Sequence, residues 1–172
     1  MTDPLEERLG EEGPTDEAPT GEAPPGTILA PSPLLTLGAF LVGLSVEWIW
    51  PVGLLPWAWN LGIGTVLLAG GALLFGGALR TMRSRGKHPS HADEPPELIT
   101  AGPFWWSRNP IYTGHSLIHL GASFVADSFW PILTLVPILL YLQRVIGREE
   151  TRLESLFGTR YERYCQEVRR WL

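Results

Sequence analysis

The residues best equipped for chemistry lie in two short polar stretches. The first contains Arg108, Asn109, Pro110, Tyr112 and Gly114. A proline in the first turn of a helix costs no hydrogen bond, and a helix N-terminus offers free N–H groups to a carboxylate or phosphate. The planar fork of Arg108 suits the same anions, although a lone arginine could also anchor to lipid headgroups. Gly114 leaves room for a ligand or another helix to approach the backbone. His115 and His119 are four residues apart and share a helical face with Tyr112. They could line a polar pocket as base or donor, hydrogen-bond between helices, or bind a metal or haem. Two histidines alone are a weak metal signal, and no metal site is assigned. The second stretch opens with Glu149 and Glu150. They are either acids in a helical first turn, favoured by the dipole, or groups that hold a cationic ligand. Cys165 is the single cysteine, which rules out an intramolecular disulfide and reads as a structural free thiol rather than a nucleophile.

The elements that position these groups are apolar. Four apolar runs cover residues 33–50, 57–79, 111–125 and 129–146. A helix needs about 20 apolar residues to cross the hydrocarbon core. The second run passes easily, the first and fourth adequately, and the third only with its flanks. A soluble domain of this size lacks the polar surface to cover four such runs. The expected fold is an all-α integral membrane protein with about four transmembrane helices and a C-terminal amphipathic cytoplasmic helix region. In the second run, Gly62, Gly64, Gly70, Gly71, Gly76 and Gly77 serve close helix packing, or those from Gly70 to Gly77 leave room for a cofactor. Pro131 suits the first turn of the fourth helix, and Pro137 kinks it. Beyond that helix, Leu153, Leu156, Phe157, Tyr161, Tyr164, Val168 and Trp171 recur at helical spacing. Gly158 should interrupt this segment, and Thr159-Arg160-Tyr161-Glu162 has the spacing of a capping box that restarts it. Such a helix lies at the headgroups, covers a site, or does both.

Charge sets the orientation. Residues 1–31 are rich in proline and acids, and eight acids against Arg8 give the first thirty residues a charge of −7. They cannot bury enough surface to fold, so a disordered tail is expected, followed by one membrane-embedded domain over 32–172. The tail has no basic start and no early apolar run, so it is not a signal peptide. It keeps the chain soluble or docks a partner. The remaining twelve cations fall into two clusters. One is Arg80, Arg83, Arg85, Lys87 and Arg108; the other comprises Arg144, Arg148, Arg152, Arg160, Arg163, Arg169 and Arg170. The turns at 51–56 and 126–128 carry none. The positive-inside rule then makes both termini cytoplasmic in a multi-pass protein of the inner or plasma membrane. Trp48, Trp50, Trp57, Trp59 and Trp130 mark the opposite interface. Nucleic acid is not an expected partner.

The string LITAGPFWWSRNPIYTG, then a hydrophobic hairpin, then REETRLESLFGTRYERYCQEVRRW resembles the superfamily of isoprenylcysteine carboxyl methyltransferases and phospholipid N-methyltransferases. Its small bacterial members are the nearest in pattern. The likeness covers about residues 98–172 and leaves the N-terminal half without a counterpart. It implies a methyltransferase dependent on S-adenosylmethionine, with the cofactor at the cytoplasmic end of the bundle. It further implies that Arg108, Asn109, Pro110, Tyr112 and Gly114 belong to the cofactor pocket and that Glu149 and Glu150 contact the cofactor. Many relatives have His where this chain has Asn109. Arg108 would hold a carboxylate, and His115 would take a proton from an amine, hydroxyl or thiol acceptor. The acceptor would be lipophilic or a small hydrophobic molecule drawn from membrane lipid. The competing readings are a haem or metal protein using His115 and His119, a relative of membrane reductases, and a scaffold that has lost its chemistry.

Overall fold

A computed structural model describes residues 32–85 and 98–172. The expectations about residues 1–31, and about Lys87, lie outside these. Five α-helices and one short 3-10 turn make up the described chain, with no strand among the described residues. They are α1 (Ser32–Ile49), α2 (Trp57–Ser84), the turn Gly102–Trp105, α3 (Pro110–Val125), α4 (Phe129–Phe157) and α5 (Thr159–Glu167).

Two of these helices, α2 and α4, are long and apolar enough to cross a membrane, while α1 is apolar but shorter. At 1.5 Å per residue, α2 and α4 reach about 42 Å, against about 27 Å for α1 and about 24 Å for α3. The hydrocarbon core is about 30 Å thick. The burial pattern has the same sense. Leu34, Leu41, Val66, Leu73, Val136 and Leu140 are exposed, whereas Asn60, Thr113, His119, Ser123 and Ser128 are buried. Water would not tolerate so much apolar surface on so small a bundle, but lipid would.

Helices α2 and α3 cross through glycine. A Cβ on Gly71 would lie 2.8 Å from the Gly114 carbonyl oxygen, and one on Gly121 would lie 2.8 Å from that of Gly64. Both pairs put backbone against backbone, seven residues apart on each helix. Close packing therefore accounts for Gly64 and Gly71, while Gly62, Gly70 and Gly76 face open space. Gly43 gives α1 the same approach to Pro131 in the first turn of α4. Leu135, Ile138, Leu142 and Ile146 of α4 form the main core with Tyr112.

The two cation-free turns meet at one end. Asp127 accepts hydrogen bonds from the Leu54 amide (2.8 Å) and Asn60 Nδ2 (2.5 Å). Glu47 accepts from the Val52 amide (2.6 Å) and Ser128 Oγ (2.7 Å). Trp130 Nε1 donates to the Trp50 carbonyl (2.7 Å). Trp48, Trp50, Trp57, Trp59 and Trp130 thus sit at the helix ends on this side of the bundle.

Three local expectations need correction. The fourth apolar run ends near 146, but α4 continues to Phe157. Glu149 and Glu150 therefore lie deep in that helix, so first-turn dipole stabilisation does not apply to them. Gly158, at φ +48°, does interrupt the C-terminal segment. It is also the N-cap of α5, which leaves Thr159 as the first helical residue with no side-chain cap bond. The capping box does not form. Pro137 lies inside α4, as expected.

Candidate functional site

Three stretches distant in sequence converge at the end of the bundle away from those turns. The loop before α3 brings Arg108, the extended part of α4 brings Glu150, and the segment after α5 brings Arg170. Helix α5 turns back after Gly158, and the chain leaves it extended at Val168. Trp171 then packs against the main core.

Backbone and side-chain bonds join the loop to the tail. The Arg108 amide donates to the Arg169 carbonyl (2.9 Å). Ser107 Oγ (3.4 Å) and Asn109 Nδ2 (3.0 Å) both donate to the Arg170 carbonyl. Ser107 Oγ also accepts from the Asn109 amide at 3.1 Å. The start of α3 is thus covered by residues 169–171, with Asn109 as its N-cap and Pro110 at its first position.

Glu150 sits between two guanidinium groups. Its Oε1 is 3.3 Å from Arg108 Nη2 and accepts from Arg170 Nε at 3.1 Å. Its Oε2 pairs with Arg170 Nη2. Arg108 Nη1 contacts Cys165 Sγ, and Arg108 Nε is buried without a hydrogen-bond partner. The side chains of Arg108 and Glu150 are 14% exposed and that of Arg170 is 43% exposed. The Arg170 contact is therefore screened and worth at most about 1 kcal/mol of stability. The Arg108–Glu150 pair is desolvated. Its attraction is largely offset by desolvation, so its effect is to orient both groups.

Beside this pair opens a cleft of about 280 Å³, whose lining adds Glu154, Tyr161, Glu162 and Cys165 to Arg108, Glu150 and Arg170. Three carboxylates face two guanidiniums across it. That donor set can hold a zwitterion, with carboxylates for an ammonium or hydroxyls and guanidiniums for a carboxylate. Burial pushes the Tyr161 phenol well above its ordinary range. Tyr164, whose hydroxyl donates to the Phe104 carbonyl at 2.6 Å, is pushed by burial up to about 12. Both phenols therefore stay neutral at physiological pH.

The other expected site residues lie apart from the cleft. Tyr112 is buried in the main core, and its hydroxyl donates to Glu149 Oε2 at 3.3 Å. The paired acids thus point to different tasks, Glu150 at the cleft and Glu149 behind Tyr112. Gly114 meets Gly71 and Phe75 at the helix crossing. The His115 ring lies on that of Phe75, 4.4 Å between centroids, and its Nδ1 is buried without a partner. His119 is buried, with Nε2 2.7 Å from the Pro131 carbonyl oxygen and its ring edge-on to Phe40. Among the described residues no group of three or more potential ligands gathers around either histidine.

Arg170, Tyr161, Glu154 and Glu162 were not singled out from the sequence as site residues. Glu154 follows Glu150 by one helical turn, and Cys165 follows Tyr161 likewise, so those two pairings were legible. Arg170 was not, because its place depends on the reversal of the chain at Gly158.

The profile of the family described as phospholipid methyltransferase matches residues 59–160, more than half of the chain. The match begins inside α2, so the shared region reaches further toward the N-terminus than the motif resemblance over 98–172. An uncharacterized protein of Haemophilus influenzae is 44% identical over 62 residues, which cover 36% of this chain and 79% of that protein.

Proposed function

The chain belongs to the phospholipid methyltransferase family, and on that premise we propose that it is an integral membrane enzyme that methylates a lipophilic acceptor at the cytoplasmic face with S-adenosylmethionine. The observation that carries this reading is the cleft in which Glu150 stands between Arg108 and Arg170. The cofactor supplies a methyl group on a sulfonium, and its amino-acid end is the kind of zwitterion that this donor set fits. Arg108, with its Nε unpartnered, would hold the carboxylate. Glu150 would hold the ammonium, and Glu154 or Glu162 the ribose hydroxyls. The remaining members of the motif would act indirectly. Asn109 and Pro110 fix the loop that carries Arg108, and Gly114 fixes α3 against α2. Tyr112 and Glu149 brace α3 against α4.

With the cofactor bound, the chemistry it would supply is in-line displacement of the methyl from a sulfonium onto the acceptor's lone pair, with a neutral thioether as leaving group. The protein's part is to align donor and acceptor and to exclude water, which gains through proximity. A carboxylate acceptor needs no base. His115, expected as the base for an amine, hydroxyl or thiol acceptor, has its Nδ1 buried beside Phe75 apart from the cleft and takes no part in this reading. The acceptor would enter sideways between helices. In this reading α1 and α3 also cross the bilayer, and the cation clusters hold the cleft at the cytoplasmic face.

The test is calorimetric titration of detergent-purified protein with S-adenosylmethionine and S-adenosylhomocysteine. Saturable binding is expected. Glu150→Gln should weaken it at least tenfold, because removing one partner of a desolvated charge pair costs about 2–5 kcal/mol, mostly by leaving Arg108 unpaired. Absence of binding in folded protein would overturn the proposal.

A further inference from the structure

Helix α5 has a second face that the proposed chemistry does not use. Tyr161, Glu162 and Cys165 look into the cleft. Arg160, Arg163, Tyr164 and Glu167, at i, i+3, i+4 and i+7, line a separate groove of about 220 Å³ against residues 98–105. The two cavities share no residue. The far wall of the groove is Trp105, which is 70% exposed, and Trp106 beside it is 66% exposed.

We propose that this groove binds the phosphodiester of an anionic glycerophospholipid, with Arg160 and Arg163 on the phosphate and Trp105 against the glycerol and upper acyl chain. The level is right. The 3-10 turn that carries Trp105 packs on the last turns of α2, with Pro103 against Gly77 and Gly102 against Thr81. Those turns are where the apolar part of α2 gives way to Arg80 and Arg83. An indole at that depth has its ring in hydrocarbon and its N–H among headgroups. The charge is right as well. Arg160 and Arg163 are exposed, and neither has an ion pair among the described residues. Glu167 is the groove's single acid, so its balance is +1. A guanidinium fork suits a phosphodiester. A lipid held there fixes α5 from outside, and the opposite face of α5 is a wall of the cleft. The inference rests on the membrane placement proposed above and not on methyl transfer.

The experiment is native mass spectrometry of the full chain from micelles doped with equal amounts of phosphatidylglycerol, phosphatidylethanolamine and phosphatidylcholine. Phosphatidylglycerol should be retained preferentially. Each cation near a charged leaflet is worth about fivefold, so the Arg160→Gln/Arg163→Gln double variant should lose roughly 30-fold in its affinity. Glu167→Gln should raise that affinity by up to about fivefold, a change of sign that damaged folding would not produce. Equal retention by wild type and the double variant would overturn the proposal. So would preferential retention of phosphatidylethanolamine that Glu167→Gln weakens, because the groove would then read a zwitterion. Displacement of the lipid by millimolar inorganic phosphate would assign the groove to free anions instead. Carbonate-resistant membrane association of the same variants, measured in parallel, tests the placement separately from the groove.

Discussion

Substituting Gly71 or its neighbour Gly70 by alanine isolates the contact that sets the height of α3 against α2. A Cβ at position 71 would stand 2.8 Å from the Gly114 carbonyl oxygen and 2.9 Å from the Ile118 amide nitrogen, whereas at position 70 it meets nothing within 4 Å. Ordinary contact begins at 3.4 Å, so the crossing must open by at least 0.6 Å (3.4 minus 2.8). Two of the three atoms in the way are backbone, the third being Ile118 Cγ1, and no rotamer relieves the backbone pair. Overpacking of this kind costs about 1–3 kcal/mol. Gly70→Ala pays none of that and gains up to about 1 kcal/mol in helix propensity. Net of the same propensity gain, and at about 2–4 °C per kcal/mol for a chain of this size, Gly71→Ala should lower Tm by up to roughly 12 °C. Gly70→Ala should leave it unchanged or raise it. Thermal scanning of both variants in one detergent reads the difference. The displacement should also reach the Tyr112–Glu149 hydrogen bond, already long at 3.3 Å, so the proposed binding of S-adenosylmethionine should weaken in Gly71→Ala alone. If Gly71→Ala melts with Gly70→Ala or above it, the packing argument for the α2–α3 crossing is wrong.

Two further outcomes follow from the tail and from α5. Asn109→Ala removes the 3.0 Å bond to the Arg170 carbonyl, which keeps Ser107 Oγ as a donor at 3.4 Å, and should cost about 0.5–1.5 kcal/mol, the net worth of one hydrogen bond. Faster carboxypeptidase trimming of residues 168–172 would show it, and unchanged trimming would count against the clamp. The Tyr164 phenol titrates at about 12 rather than its ordinary 10. Because the folded value is raised, its contribution to stability is complete below pH 10 and is lost as pH rises through about 12. A phenolate absorbance titration should show a late component whose amplitude falls by one phenol in Tyr164→Phe, Tyr161 being raised by burial as well. If wild type and variant titrate alike, burial of this hydroxyl is refuted.

The sequence by itself determined what is periodic or adjacent. Apolar runs of near-membrane length announced α1 to α4, and the proline after Asn109 announced where α3 begins. Gly158, a residue type that accepts positive φ easily, announced the break before α5. The clustering of cations separated the two ends of the bundle, because charge near lipid is a linear property of the chain. The motif likeness pointed to the family, and the profile match over 59–160 bears it out.

What only the tertiary structure decided is who meets whom across long separations. No local pattern says that Glu150 faces a cleft while Glu149 turns to Tyr112. That division depends on the continuation of α4 past its apolar run to Phe157. Nor could the pattern tell packing glycines from outward-facing ones, since Gly70 and Gly71 are chemically identical and differ only in what lies opposite. Arg170 reaches Glu150 because α5 reverses the chain and Trp171 is anchored in the core. Such contacts are set by the summed packing of distant helices, and a single sequence carries that information in no one stretch.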